Sequence, residues 1–214
     1  MLAAMKSRSG SGERRHQRAL TLVELLVAIA IAGVLVALAA PGFHNFILMQ
    51  RLKGTHAQLV TDLQYARSEA ISRGMVVNVR VQTPTALNPL SCYIVFTDSN
   101  RNYAQLGASS NCSCRPAEGS RCTAAGTTEI RTVQVPTSSS VAFSLPLGQT
   151  GAVGFDPVTG GMVLVLSELG VGTGNDFTVF TSIDAARRLA AVVGLSGRPT
   201  VCRPTGSTMV ERDC

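Results

Sequence analysis

Histidine is scarce in this chain: three residues among 214, at His16, His44 and His56. None of them accompanies a serine or cysteine in a nucleophile pattern, so the sequence offers no recognisable set for covalent catalysis. None lies near the cysteines either. Cys112-Ser113-Cys114 with Cys122 also lacks the spacing of a zinc ribbon, which leaves no metal site to expect. Charge is sparse as well, with 19 Lys and Arg against 13 Asp and Glu. Five of the basic residues and Glu13 fall within residues 1–19, so the remainder holds 14 basic against 12 acidic residues, a formal excess of two. The basicity that suggests a nucleic-acid partner is therefore concentrated at the N-terminus.

Two partial motifs fail on what they lack. Asp98-x-Asn100-x-Asn102 has the opening rhythm of a calcium loop, but Tyr103 stands where Gly is needed and Ser109 where Glu is needed. Gly170, Gly172 and Gly174 have no Lys after them and sit between predicted strands rather than before a helix, so a phosphate loop is excluded. No cofactor, small-molecule substrate or enzymatic activity is expected.

What the chain does contain is an apolar run. From Leu25 to Ala40 there is no charged side chain, and counted from Leu20 the stretch reaches 21 residues interrupted only by Thr21 and Glu24. As a helix it would be roughly 31 Å long, about the thickness of a bilayer's hydrocarbon core. A carboxylate at Glu24 costs a few kcal/mol in that setting unless it is paired. Arg14, Arg15 and Arg18 lie just upstream and would stay on the cytoplasmic side, and Ala19 is a small residue directly before the apolar start. A cut between Ala19 and Leu20 would create an α-amino group a few residues from Glu24. The bland alternative is a secretory signal peptide cut after Ala37-Leu38-Ala39, against which stand the length of the run and its acid.

Arg18-Ala19 followed by Leu20-Thr21-Leu22-Val23-Glu24-Leu25-Leu26 resembles the processing site of type IV prepilins and pseudopilins, with Ala19 where Gly is usual and Leu20 where Phe is usual. The resemblance implies a leader over 1–19, cleavage between Ala19 and Leu20 by a prepilin peptidase and N-methylation of Leu20. It also implies a transmembrane helix over 20–40 in inner-membrane lipid, and pairing of Glu24 during assembly.

Pro41-Gly42 should interrupt the helix. Beyond it Leu52, His56, Leu59, Leu63, Ala66 and Ala70 recur in steps of four and three, one face of an amphipathic helix over 41–73. Arg51, Lys53, Asp62 and Arg67 are assigned to other faces, and His56 to the edge of the core. Gly74 stops the helix. Residues 74–214 read as short strands near 75–82, 92–97, 129–135, 141–145, 152–156, 162–166, 177–182 and 189–195, with turns at Asp156-Pro157, Gly160-Gly161 and Ser196-Gly197. The fold class is α+β: a long N-terminal helix packed on an antiparallel β domain.

Asp62-Leu63-Gln64-Tyr65-Ala66-Arg67-Ser68-Glu69-Ala70-Ile71, then Arg73-Gly74, Tyr93 to Asp98, Phe143-Ser144 and Gly197-Arg198, is similar to the GspH/FimT family of minor pseudopilins and minor pilins. The resemblance implies a type IV pilin-like fold and a structural role among other pilins or pseudopilins of a pilus or a type II secretion pseudopilus. DNA is the alternative partner, since some family members capture it with late arginines. Gly197-Arg198 matches half of the Gly-Arg-x-Arg pattern, Thr200 takes the second arginine's place, and Arg187, Arg188 and Arg203 are the other candidates.

All six cysteines follow the apolar run, at Cys92, Cys112, Cys114, Cys122, Cys202 and Cys214. With the leader inside they lie in the periplasm, where disulfides form. Of 15 pairings, Cys202 with Cys214 closes a short terminal loop and is preferred. The other four stay open around the irregular insert 100–127.

Overall fold

The computed structural model describes residues 21–99, 112–149, 151–163 and 176–214. The expected cleavage site, Ala19 and Leu20, lies outside them, as do Asn100, Asn102 and the glycines at 170, 172 and 174. Helix α1 runs Leu22–Arg73, and strands follow at β1 Val76–Gln82, β2 Ser91–Asp98, β3 Thr127–Val135, β4 Ala142–Ser144, β5 Ala152–Phe155, β6 Met162–Val163, β7 Asp176–Ser182, β8 Arg188–Gly194 and β9 Pro199–Cys202. The chain divides into two compact units, 1–44 and 45–214.

In the first unit α1 starts at a cap. Thr21 Oγ1 accepts a hydrogen bond from the Glu24 N–H at 3.2 Å, the Thr-x-x-Glu arrangement that satisfies one of the open amides of a helix start. Every large apolar side chain from Leu22 to Leu38 is 52–74 % exposed. No single helix among the described residues is long and apolar enough to cross a membrane, although Leu22–Leu38 and Gly42–Arg73 together could do so as a bent pair.

The second unit has the opposite character. Its part of α1 buries Leu52, Leu59, Leu63, Ala66 and Ala70 completely. The expected apolar face is the observed one, and Gly74, in the left-handed conformation at φ 63°, ends the helix. The strands form two antiparallel sheets, a five-stranded one in the order β3-β2-β1-β5-β6 and a four-stranded one in the order β4-β7-β8-β9. Val77, Val79 and Val81 alternate with Asn78 and Arg80 on β1, so the valines of one pleat meet the helix together with Tyr93 and Val95 of β2. Phe143, Phe177, Val179, Leu189, Ala191 and Val193 bring the second sheet to the same core. The Tyr93 and Phe143 rings meet edge to face at 5.5 Å and Ser91 Oγ accepts from the Phe143 N–H at 2.6 Å, which joins β2 to β4 across the two sheets.

The remaining pleat of the first sheet carries a second apolar cluster of Cys92, Ile94, Phe96, Cys112 and Cys114. Disulfides Cys92–Cys114 and Cys112–Cys122 staple segment 112–122 there. Gln82 Oε1 accepts from Ser113 Oγ at 2.8 Å and the Cys114 N–H at 3.0 Å, while Gln134 Nε2 donates to Cys114 O at 2.6 Å. The third bridge joins Cys202 to Cys214.

Three local expectations need adjusting. Strand β9 is absent from the sequence reading because Pro199 and Thr200 look like turn residues; it pairs Pro199–Cys202 with β8 at the sheet edge, where proline costs no ladder bond. Asp62 and His56 are buried rather than outward or peripheral, with 1 % and 3 % exposure. Arg67 is half-buried rather than on a free face. The reason is spacing: Asp62 lies three after Leu59 and four before Ala66, and Arg67 four after Leu63 and three before Ala70, so both flank the buried stripe.

Candidate functional site

Three polar side chains of α1 tie the helix to the β domain, each to a different part of it. His56 Nδ1 lies 3.0 Å from Thr181 Oγ1 on β7, while its Nε2 has no hydrogen-bond partner. Burial pushes this imidazole down from 6.5 to about 4, so it is neutral at physiological pH. Asp62 accepts a hydrogen bond from the Tyr93 hydroxyl at 2.6 Å and faces Arg131 Nη1 at 3.0 Å, reaching β2 and β3 of the first sheet. Burial first, and then the hydrogen bond to Asp62, raise the Tyr93 hydroxyl far above the ordinary tyrosine range, so it remains a donor. Arg67 Nε donates to Gly160 O at 2.9 Å in the β5–β6 turn.

That turn is built by Asp156, whose carboxylate accepts from the Thr159 N–H at 2.8 Å, the Val158 N–H at 3.0 Å and the Thr159 hydroxyl at 3.0 Å. The backbone hydrogen bond from Thr159 is the main reason its carboxyl lies below the usual range. Gly160 and Gly197 face each other with φ of 64° and 72°. A Cβ on Gly197 would fall 2.0 Å from Gly160 O, so the β5–β6 and β8–β9 turns touch backbone to backbone.

The expected site residues do not converge. Glu24 is exposed near the helix start. Arg187 pairs with Asp184 at 2.6 Å, and Arg203 pairs with Asp213 while its Nη1 reaches Met209 O at 3.4 Å. Arg188 stacks over Phe180 with 5.5 Å to the ring centre and donates to Thr205 O at 3.1 Å. Arg188 lines a cleft of about 680 Å³ on the second sheet with Phe180, Val192 and Arg212. Arg198 instead lines a separate cleft of about 390 Å³ with Gln64, Arg67 and Pro199. The sequence reading missed Arg67 as its companion; the signal was its position beside the helix's buried stripe. Among the described residues, no group of three or more His, Cys, Asp or Glu side chains could hold a metal ion.

A long helix with an uncovered apolar start and a buried second half, laid on two antiparallel sheets, is the architecture of a pilin-like subunit. The chain belongs to the GspH family: the model of that family, type II transport protein GspH, matches residues 56–197. The prokaryotic N-terminal methylation motif matches residues 14–40, which include Ala19, Leu20 and Glu24. The chain is 39 % identical over 88 residues to the pilin-like protein PilA1 of Thermus thermophilus, a match covering 40 % of this chain and 51 % of that protein. It thus spans about half the length of this curated relative. Two crystal forms of the type IV minor pilin FimU of Pseudomonas aeruginosa are similar at 13 % and 12 % identity, with TM-scores of 0.43 and 0.45. They cover 74 % and 76 % of this chain and 98 % and 95 % of theirs.

Proposed function

We propose that this chain is a minor subunit of a type IV pilus or a type II secretion pseudopilus, with a structural rather than catalytic role. Residues 1–19 are a leader removed by a prepilin peptidase, Leu20 becomes the methylated N-terminus, and residues 20–40 hold the protein in the inner membrane with residues 74–214 in the periplasm. The observation that carries this reading is the apolar surface from Leu22 to Leu38, uncovered within its own unit and lying within the matched N-terminal methylation motif. Such a surface needs lipid or other helices around it. In that surrounding Glu24 requires a cation, and the α-amine released at Leu20, of the same or a neighbouring subunit, supplies one within reach. Transfer into the filament then exchanges lipid for neighbouring helices, with the pairing setting axial register.

Mass spectrometry of the membrane-extracted protein tests the first step. A methylated N-terminus at Leu20 is expected, and a mature N-terminus at Ala40 would mark an ordinary signal peptide. Presence of the chain in sheared filaments, together with loss of protein secretion or of surface filaments when its gene is deleted, distinguishes the two systems.

A further inference from the structure

The cleft between the end of α1 and the β8–β9 turn brings together two cations and no acid. It is lined by Gln64, Arg67, Arg198 and Pro199. Arg198 is exposed and has no hydrogen bond or ion pair among the described residues. Arg67 spends only its Nε–H on the protein, on Gly160 O. The walls are fixed by the close approach of Gly160 to Gly197, and a Cβ on Gly197 would also lie 3.3 Å from Arg67 Nε. Arg198 therefore springs from a backbone pressed against Arg67. The carboxylates nearby are already engaged: Glu69 pairs with Arg73, and Asp156 is used by the amides and hydroxyl of its own turn. Two guanidinium groups line this cleft with no carboxylate among its described lining residues, so its potential favours an anion from outside.

We infer that Gln64, Arg67 and Arg198 form a receptor cleft for one carboxylate side chain, Asp or Glu, of a neighbouring filament subunit. The inference rests on the filament reading above. The forked N–H groups of guanidinium match a carboxylate, and the Gln64 amide adds a neutral donor at the rim. A nucleic acid fits less well because its affinity grows with the number of phosphates neutralised. Here Arg187 and Arg203 are held by Asp184 and Asp213, and Arg188 lines a different cleft.

The test uses the full chain expressed in its own host in place of the native copy. A photoreactive benzoylphenylalanine replacing Gln64 should cross-link to a second filament subunit next to an Asp or Glu. Arg198→Glu should reduce recovery in sheared filaments by about tenfold or more, as expected when a like charge replaces its complement. Its N-terminus should stay at Leu20, and Arg198→Lys should keep part of the recovery. Reversing the cross-linked acid to Arg should restore Arg198→Glu. Normal incorporation of Arg198→Glu while Glu24→Ala is excluded would overturn the cleft and leave the filament reading standing. Absence of the unaltered chain from filaments would overturn both. Binding of a DNA duplex lost in Arg198→Glu, with incorporation unchanged, would replace the carboxylate by phosphate.

Discussion

The two halves of α1 differ in composition and in surroundings: Leu25 to Leu38 has no charged side chain and stays uncovered, whereas the second half carries Arg51, Lys53, Asp62, Arg67, Glu69 and Arg73 and buries its apolar stripe. Leu26 and Ile29 are more than half exposed, whereas Leu59 and Leu63 are fully buried. The second half meets two sheets that supply Val79, Tyr93, Phe155 and Val179. The apolar side chains of the first half stay exposed, and under the proposed filament reading their burial comes from lipid or neighbouring helices.

The contrast should break clearly at Asp62. Asp62→Ala leaves the buried Tyr93 hydroxyl without its acceptor while the half-exposed Arg131 returns to water, and should cost about 1.5–3 kcal/mol, the range for losing a hydrogen bond to a charged group. Denaturant unfolding of the full chain in detergent, followed by the near-ultraviolet tyrosine signal, measures it; a change below about 1 kcal/mol would reduce the pair to a surface contact. Leu59→Ala and Leu26→Ala compare the two halves at equal chemistry. The first should destabilise by about 2–5 kcal/mol through a core cavity, the second by less than about 0.5 kcal/mol. Leu26→Ala should act instead on retention in the membrane or filament.

His56 gives the second half a pH dependence. Its folded pKa of about 4 lies below the 6.5 of the unfolded chain, so the unfolded state binds more protons between those values and stability falls as pH drops. The loss should begin near pH 6.5, level off near pH 4 and amount to roughly 3 kcal/mol. Unfolding of His56→Phe across the same range should lack this component, although losing the Thr181 contact lowers its stability at every pH. The smallest effect belongs to the helix start: Thr21→Ala removes the cap and should cost about 1 kcal/mol of local helix stability. Amide exchange over residues 22–25 would detect it while the exchange of residues 59–70 stays unchanged.

Much of the fold was legible because periodicity reports burial. Steps of three and four located the face of Leu52, Leu59, Leu63, Ala66 and Ala70, and alternation located Val77, Val79 and Val81. Polar residues at the margin of that face were misread because a charge suggests solvent, and a sequence does not show whether a partner waits across the core. Arg131 and Tyr93 wait for Asp62, and Thr181 waits for His56, at sequence distances no local pattern spans. Thr21-x-x-Glu24 is different: its capping signal is local, carried by two residues three apart.

By itself the sequence determined the apolar run, the N-terminal methylation motif, the α+β class and its family likeness, since each rests on local order along the chain. Tertiary structure alone decided which strands join which sheet, where Cys92, Cys112, Cys114 and Cys122 pair, and that Arg198 stands beside Arg67 rather than beside Arg203. Those outcomes depend on contacts between distant segments, set by how two sheets and a helix fill one core, and no spacing along the chain encodes them.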